Sequence, residues 1–432
     1  MLLKFSVENF RSFGHEMTLD LYASNGIKDL PGKGVSVIGS GPSSFKVLNA
    51  ISLYGANSSG KSNLLRAINT MRNMVLNSVR LNDGDSLDYD PFVLSTRTTH
   101  TTHFEITYYD SITRGIYTYG FEYNEEAIVK EWLLAKWPGR SEKRLIDRTQ
   151  GRVDIDPVSF EEGVRARALL LNKNRLFLSL AGQAGGEISN SVITWFQKGL
   201  RVISGIHDTT SSYTRKRVAE SPEAKSRVQE FICKMKLGFE HFDVEKVDFE
   251  SIPGFPKELI EHYKRDPFIQ IHSAHNVYGE NGEIVRTEML DLDSQESAGT
   301  NKVFALSAPL LEALDEGMTL VVDELDSKMH PLLSRRLVEM FNSPEENPNG
   351  AQLIFTTHDT NLLSNDIFRR DQIWFTEKDA VENTGIYSLL KVHERSEKLS
   401  HAPRNDSNYQ KNYIQGLYGA VPWITNEKPE GC

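Results

Sequence analysis

Residues Ser52–Leu65 read S-L-Y-G-A-N-S-S-G-K-S-N-L-L, a short apolar run, a glycine-bounded loop and the opening of a helix. Gly55, Gly60, Lys61 and Ser62 fill every fixed position of G-x-x-x-x-G-K-[S/T], with a strand pattern before the loop and a helix pattern after it. The two glycines let the backbone of Gly55, Ala56, Asn57, Ser58, Ser59 and Gly60 curl so that successive N–H groups face phosphate oxygens. The helix that follows turns the positive end of its dipole toward the same anion. Lys61 then reaches the β- and γ-phosphates, the Ser62 hydroxyl ligates Mg²⁺, and Asn63 completes the nucleotide-binding run in the first helical turn. A glycine-rich surface turn is the competing reading, and it leaves the agreement of strand, loop and helix unexplained.

Working outward, the helix after the loop places Leu64, Ile68, Met71 and Val75 on one face, a spacing that packs a core and carries no chemistry. Upstream, Leu3, Phe5 and Val7 alternate as in a strand, the turn-rich Gly32–Ser44 interrupts, and Val47–Tyr54 leads into the loop. Downstream, H-F-E-I-T-Y-Y-D, G-I-Y-T-Y-G-F-E-Y and A-I-V-K-E-W-L-L-A-K-W between His103 and Trp137 predict an antiparallel meander beside the nucleotide strand. From about residue 160 the pattern is mainly helical through Lys236, without the sustained heptads of a coiled-coil arm. Pro253, Pro256 and Pro267 mark a boundary before strands resume at Phe268. From Gly299 onward, a helix carrying Val303, Leu306, Leu310 and Leu314 precedes alternating strands and helices: strand Thr319–Val322, helix Leu332–Phe341, strand Gln352–Phe355, a helix, and strands Ile373–Phe375 and Gly385–Val392. Such alternation predicts a sheet with parallel strands covered on both faces, whose ligands sit beyond the carboxyl ends of the strands.

At 432 residues the chain has room for two or three cores, at about 150 residues per domain. Four segments are expected: an N-terminal lobe at 1–160 with the loop and meander, a mainly helical insertion at 161–265, a C-terminal lobe at 266–395, and a tail at 396–432. Hydrophobic residues at 39% and charged residues at 25% describe a globular chain, and no apolar run approaches the roughly 20 residues needed to span a bilayer. Two cysteines, Cys233 and Cys432, make no disulfide framework, so a cytoplasmic location and no membrane partner are expected. The net charge of −10 argues against a protein that coats nucleic acid with its whole surface. Residues 161–240, however, carry 13 Lys/Arg against 8 Asp/Glu, and Arg215, Lys216 and Arg217 are the first candidates for a nucleic-acid contact. A solvated helical face is the alternative there.

Met318–Glu324, M-T-L-V-V-D-E, ends an apolar strand in two adjacent carboxylates. An acid at a buried strand end is costly unless it meets a cation, so Asp323 is expected to hold Mg²⁺ and Glu324 to orient and polarise the attacking water. Two acids that only cap the next helix are the alternative. Thr356-Thr357-His358-Asp359 ends the following strand in the same way, and His358 there can donate to a γ-phosphate. Between the loop and these acids, Ser297-Ala298-Gly299 stands at a helix start, suited both to capping the helix and to meeting an anion.

Gly55-x4-Gly60-Lys61-Ser62, Ser297-Ala298-Gly299, Asp323-Glu324, Leu325-Asp326-Ser327 and His358 resemble, in order, the P-loop, signature, Walker B, D-loop and switch histidine of ABC-type ATPase heads. More narrowly, E-N-F-R-S-F near the N-terminus, Y-G-F-E in the meander, Gln372–Asp379 and the Y-I-Q-G-L-Y-G-A-V-P run of the tail resemble the RloA-like (AAA_15) bacterial ATPases. Members of that family serve abortive infection and other anti-phage systems, among them AriA-type ATPases of the PARIS kind. The resemblance implies an α/β fold, an ABC-type P-loop ATPase head with a mixed β sheet, an antiparallel β subdomain and a helical insertion. It further implies a Mg²⁺-dependent ATP hydrolase that works as a homodimer or higher homo-oligomer and controls a separately encoded effector, a Toprim-like or RloB-like nuclease. By the same resemblance Arg11 lies by the nucleotide, Ser297 and Gly299 contact the γ-phosphate bound to the partner protomer, and Asp326 sits at the protomer boundary. The signature reads E-S-A-G-T in place of L-S-G-G-Q, and no glutamine is assigned to a Q-loop. A RecF- or SMC-like ATPase of DNA repair or DNA-end handling is the rival reading. An overcoming-lysogenisation-defect nuclease would need a Toprim D-x-D after His358, and the sequence has none there.

Overall fold

A computed structural model describes residues 1–96, 100–170, 172–204, 208–239, 241–249, 267–395 and 399–422. The chain divides into two units, Met1–Ser204 with Glu316–Leu325 and Leu337–Cys432, and Gly205–Asp315 with Asp326–Arg336.

The first unit is built on two sheets. One has six strands in the order Leu200–Ile203, Thr319–Val322, Gln352–Thr356, Ala50–Tyr54, Ile373–Lys378 and Thr384–Ser388. The first five run parallel and the last pairs antiparallel. Thr319–Val322, Gln352–Thr356 and Ala50–Tyr54 are buried at every position, as expected of central strands covered on both faces. Their carboxyl ends carry the phosphate loop, Asp323-Glu324 and Thr357-His358.

The second sheet has seven antiparallel strands in the order Arg152–Ile155, Lys143–Thr149, Ile128–Lys136, Gly115–Tyr123, Thr102–Asp110, Leu2–Glu8 and Met17–Asp20. Burial along Thr102–Asp110 alternates with period two, turning Phe104, Ile106 and Tyr108 inward. The meander therefore joins the N-terminal strand and does not lie beside the nucleotide strand as the sequence predicts. The physical reason is that Ala50–Tyr54 already has a parallel neighbour on each side. Gln352 ties the two sheets together. Its carbonyl oxygen accepts from Leu2 N at 2.6 Å and Thr319 Oγ1 at 2.9 Å, and its amide donates to Leu2 O at 2.9 Å and Leu48 O at 3.0 Å. All four amide sites of a fully buried side chain are satisfied, the condition under which burial is tolerated.

Other expectations shift at element ends. The run W-F-Q-K-G-L leaves its helix through a wide turn at Trp195–Gly199 and becomes the edge strand Leu200–Ile203. Between Thr356 and Ile373 the expected helix is replaced by tight turns at Thr360–Leu362 and Arg370–Gln372, in a stretch where Asp359 accepts from Asn361 N and holds the backbone locally. The last strand stops at Ser388, and Leu389–Glu394 is a 3₁₀ segment. Residues 161–204 stay with the first unit because Leu200–Ile203 is an edge of its sheet and Glu131 caps one of its helices. That carboxylate, on strand Ile128–Lys136, accepts from Phe177 N at 2.7 Å and Leu178 N at 2.8 Å at the start of helix Phe177–Gln183. It also accepts from Tyr119 Oη at 2.9 Å and pairs with Arg148 at 3.3 Å, all fully buried.

The second unit carries helices Asp208–Glu220, Pro222–Met235 and most of Ala298–Glu316, with the three-stranded antiparallel sheet Phe242–Lys246, Ile269–Tyr278 and Ile284–Asp291. Ser221 caps its helix by accepting from Ala224 N at 3.1 Å, with Pro222 in the first turn where no N–H is needed. Two of the basic residues named for nucleic-acid contact are engaged internally: Arg215 pairs with Asp293 at 2.5 Å and donates to Ile269 O at 3.0 Å, and Arg217 pairs with Glu312 at 2.6 Å. Of the boundary prolines, Pro253 and Pro256 lie outside the described residues, and Pro267 precedes strand Ile269–Tyr278.

Removing one member of the Glu131–Arg148 pair leaves a buried charge without its partner, so Glu131→Ala should cost about 3–5 kcal/mol in urea or thermal unfolding. A loss below about 1 kcal/mol, the range of an exposed pair, would contradict this account of the first unit.

Candidate nucleotide site

The phosphate loop leaves strand Ala50–Tyr54 and enters helix Lys61–Asn77, whose Leu64, Ile68, Met71 and Val75 are buried as their spacing predicts. Both glycines are sterically required. A Cβ on Gly55 would collide with Thr376 Oγ1, and at Gly60, where φ is +106°, it would collide with Thr384 Oγ1. Ser58 also sits at positive φ, +62°, a conformation few non-glycine residues adopt. The loop is braced from outside: Ser59 Oγ meets Thr376 Oγ1 at 2.5 Å, Thr384 Oγ1 donates to Ser59 O at 3.0 Å, and Ser12 Oγ meets both Thr384 Oγ1 and Asn63 Nδ2 at 2.9 Å. Lys61 is buried within the loop, its Nζ donating to Gly55 O at 2.8 Å and Ala56 O at 3.0 Å.

The acids approach this loop through strand pairing. Gln352–Thr356 lies between the phosphate-loop strand and Thr319–Val322, so its last residue touches both strand ends. The Thr356 hydroxyl donates to Asp323 Oδ1 at 2.6 Å and accepts from Glu324 N at 2.7 Å. On its other side Asp323 Oδ1 accepts from Ser62 Oγ at 3.1 Å. Asp323 is half-buried and Glu324 exposed, and Glu324 stands at φ +50°. Such a conformation at a non-glycine residue costs of order 1–3 kcal/mol and is found where a side chain must be aimed. A hydroxyl and a carboxylate oxygen sharing one contact form a hard-oxygen pair of the kind that holds Mg²⁺ through few protein ligands and the substrate's phosphates. No cluster of three His, Cys, Asp or Glu side chains among the described residues offers a metal an all-protein cage.

His358 is exposed and lines, with Gly55–Ser59, a cavity of about 820 Å³. The outer wall of that cavity is the tail, through Tyr413, Ile414 and Ala420. Glu377 accepts from Ala420 N at 2.9 Å and from Tyr387 Oη at 3.2 Å, and Tyr413 stacks on Phe375 with ring centroids 5.4 Å apart. Burial and the Glu377 carboxylate push the Tyr413 phenol up to about 12, so it stays a neutral donor, and it bonds Ala420 O at 3.0 Å. The aromatic tail pattern was visible in the sequence, but not which surface its rings cover.

Arg11 is placed differently from the loop residues. Its guanidinium pairs with Asp90 at 2.8 Å and lies over the Phe10 ring, and it is the neighbouring Ser12 that touches the phosphate-loop helix. In the second unit, Ser297 Oγ caps helix Ala298–Glu316 by accepting from Thr300 N at 3.0 Å. A Cβ on Gly299 would stand 2.6 Å from Lys328 O, so the Ser297-Gly299 turn packs closely on the segment that follows Asp326. Lys302 donates to Ser327 Oγ at 2.8 Å in the same place. The structure thus gathers Gly55–Asn63, Asp323, Glu324 and His358 around one loop, and gathers Ser297, Gly299 and the Asp326–Lys328 segment in the other unit. Thr356, Thr376, Thr384 and Ser12 are the supporting residues, which the sequence offers only as four separated hydroxyls with no motif to mark them.

The family model described as "AAA domain, putative AbiEii toxin, Type IV TA system" matches residues 51–364. Among solved structures, the chain is similar to an SMC head bound to the C-winged helix domain of ScpA, with 12% identity, 90% of this chain and 97% of that chain covered, and a TM-score of 0.45. It is similar to the SMC head domain from Thermotoga maritima at 13% identity, with 90% and 98% covered and a TM-score of 0.40. It is similar to the ATP-bound recombination mediator protein RecF at 14% identity, with 83% and 92% covered and a TM-score of 0.28. No curated protein matches the chain in sequence.

Thr356→Val deletes the hydroxyl that fixes both acids while keeping the shape of the strand. A hydrogen bond to a charged group is worth about 1.5–3 kcal/mol, so turnover of ATP should fall about ten- to a hundredfold, with nucleotide binding retained and Thr356→Ser restoring the rate. Unchanged turnover in the valine variant would remove Thr356 from the site.

Proposed function

The chain belongs to this AAA-domain family, and from that premise we propose that it binds ATP on residues 55–63, hydrolyses it with Asp323, Glu324 and His358, and passes the bound state to a partner protein. The observation that carries this reading is the meeting of Ser62 Oγ with Asp323 Oδ1 at 3.1 Å, which joins the phosphate loop to the acid strand. Bound Mg²⁺ would be held by those two oxygens and would neutralise charge developing on the β- and γ-phosphates. Lys61 exchanges its contacts with Gly55 O and Ala56 O for phosphate oxygens. Glu324, aimed by its strained backbone and by Thr356, accepts a hydrogen bond from the attacking water and lines it up behind the γ-phosphorus. His358 donates to the γ-phosphate from the cavity side.

The Ser297-Gly299 turn serves a second copy. Its helix start offers backbone N–H groups to a γ-phosphate held by another protomer, and Asp326, two residues before the Lys328 carbonyl that Gly299 packs against, lies at the boundary. A homodimer or larger homo-oligomer closed by ATP follows. The setting we propose is antiviral defence in the manner of the RloA-like ATPases, with a nuclease as the controlled effector. The toxin–antitoxin wording of the family's description supports that setting. No helix among the described residues is long and apolar enough to cross a membrane.

Lys61→Ala should abolish ATP binding in equilibrium titrations, whereas Glu324→Gln should bind ATP and release no phosphate; turnover at the wild-type rate in either variant rejects the assigned role. Sharing across protomers is tested by mixing Lys61→Ala with Ser297→Arg. Each is inactive alone, and the mixture should regain hydrolysis because one composite site is assembled from intact halves. No recovery would mean that the turn does not act on a neighbour's nucleotide.

A further inference from the structure

Strand Ile284–Asp291 is the outer strand of the second unit's sheet, and among the described residues it pairs only with Ile269–Tyr278. Its first six residues are all exposed. Tyr278 is 61% exposed, Ile284 60%, Val285 62% and Met289 38%, so the outer half of this hairpin shows water four large apolar side chains and a row of backbone hydrogen-bonding groups. An edge of this kind is a template for another strand, and natural edges are usually guarded by like charges or proline. The only charges along the exposed run are of opposite sign, Arg286 and Glu288, two residues apart and 3.2 Å from each other.

That spacing is self-complementary. If two copies of the strand lie antiparallel about a two-fold axis through Thr287, Arg286 of one faces Glu288 of the other, twice, and Val285 faces Met289, twice. Residues directly opposite in an antiparallel pair lie about 4.5–5.5 Å apart, within reach of both kinds of contact. Parallel in-register pairing would instead set arginine beside arginine and glutamate beside glutamate, which is destabilising. A two-fold contact between identical surfaces requires a patch that is its own complement, and this strand has that property in both charge and apolar pattern.

We infer that strand Ile284–Asp291 is a nucleotide-independent interface with a second copy of this chain, joining two three-stranded sheets into one of six. This contact is separate from the ATP-closed interface proposed above and stands whether or not that one forms. A chain with both contacts can assemble beyond a dimer.

The test is the mass of the full-length chain in solution without nucleotide, by light scattering or sedimentation across a dilution series. The wild type should rise with concentration toward twice the 48.9 kDa chain mass. Arg286→Glu places two carboxylates opposite two others and should hold the chain at its monomer mass. The double variant Arg286→Glu, Glu288→Arg restores the pairing with the signs exchanged and should recover the dimer, and at dilutions where the wild type is monomeric all three proteins should unfold at the same temperature. Lys61→Ala, which removes only the nucleotide-linked contact, should dimerise without ATP as the wild type does. A wild type that stays monomeric at every concentration, or an Arg286→Glu variant that dimerises normally, overturns the inference.

Discussion

The site rests on one hydroxyl. Thr356 Oγ1 donates to Asp323 and accepts from the amide of Glu324, and it can do both because its strand runs parallel between the phosphate-loop strand and the acid strand. The same hydroxyl holds the Asp323 carboxylate by a side-chain hydrogen bond and Glu324 by its backbone amide, so both acids are aimed from one point. The strained φ of Glu324 is sustained by the same contact. Parallel order sets the three chemically loaded strand ends side by side.

Around that centre the first unit is made rigid by two buried side chains, Gln352 and Glu131, whose own polar atoms are all hydrogen-bonded. Gln352 joins the two sheets, and Glu131 joins the antiparallel sheet to a helix. Such groups are stabilising only when every donor and acceptor has a partner, so they fix one register of the strands among many that hydrophobic burial alone would allow. The phosphate loop inherits this rigidity through Thr376 and Thr384, whose hydroxyls fill the space a side chain at Gly55 or Gly60 would need. The tail lines the outer side of the cavity beyond the loop, with Tyr413 and Ala420 in the same lining as His358.

Much of this was legible in the sequence. Gly55, Gly60, Lys61 and Ser62 define a loop through backbone geometry that few other residues permit, and Asp323-Glu324 at an apolar strand end states a charge in need of a cation. The central strands were readable because they are buried on both faces and therefore continuously apolar. What the sequence concealed was partnership across long separations. The meander alternates correctly for a half-buried sheet, but periodicity carries no information about whether its neighbour is Leu2–Glu8 or Ala50–Tyr54. Arg215 and Arg217 read as a basic patch because their partners Asp293 and Glu312 lie 78 and 95 residues further along the chain. Leu200–Ile203 was hidden inside a helical run, since an edge strand of four residues is decided by the sheet it joins.

The central claim is that these strand ends make a single hydrolytic pocket. It is met most directly by measuring phosphate release from ATP by the purified wild-type chain, with Mg²⁺ and with the metal removed by chelation. Steady release in Mg²⁺ that chelation abolishes is the expected result. Release no faster than in buffer alone, at ATP concentrations that saturate binding, would contradict it.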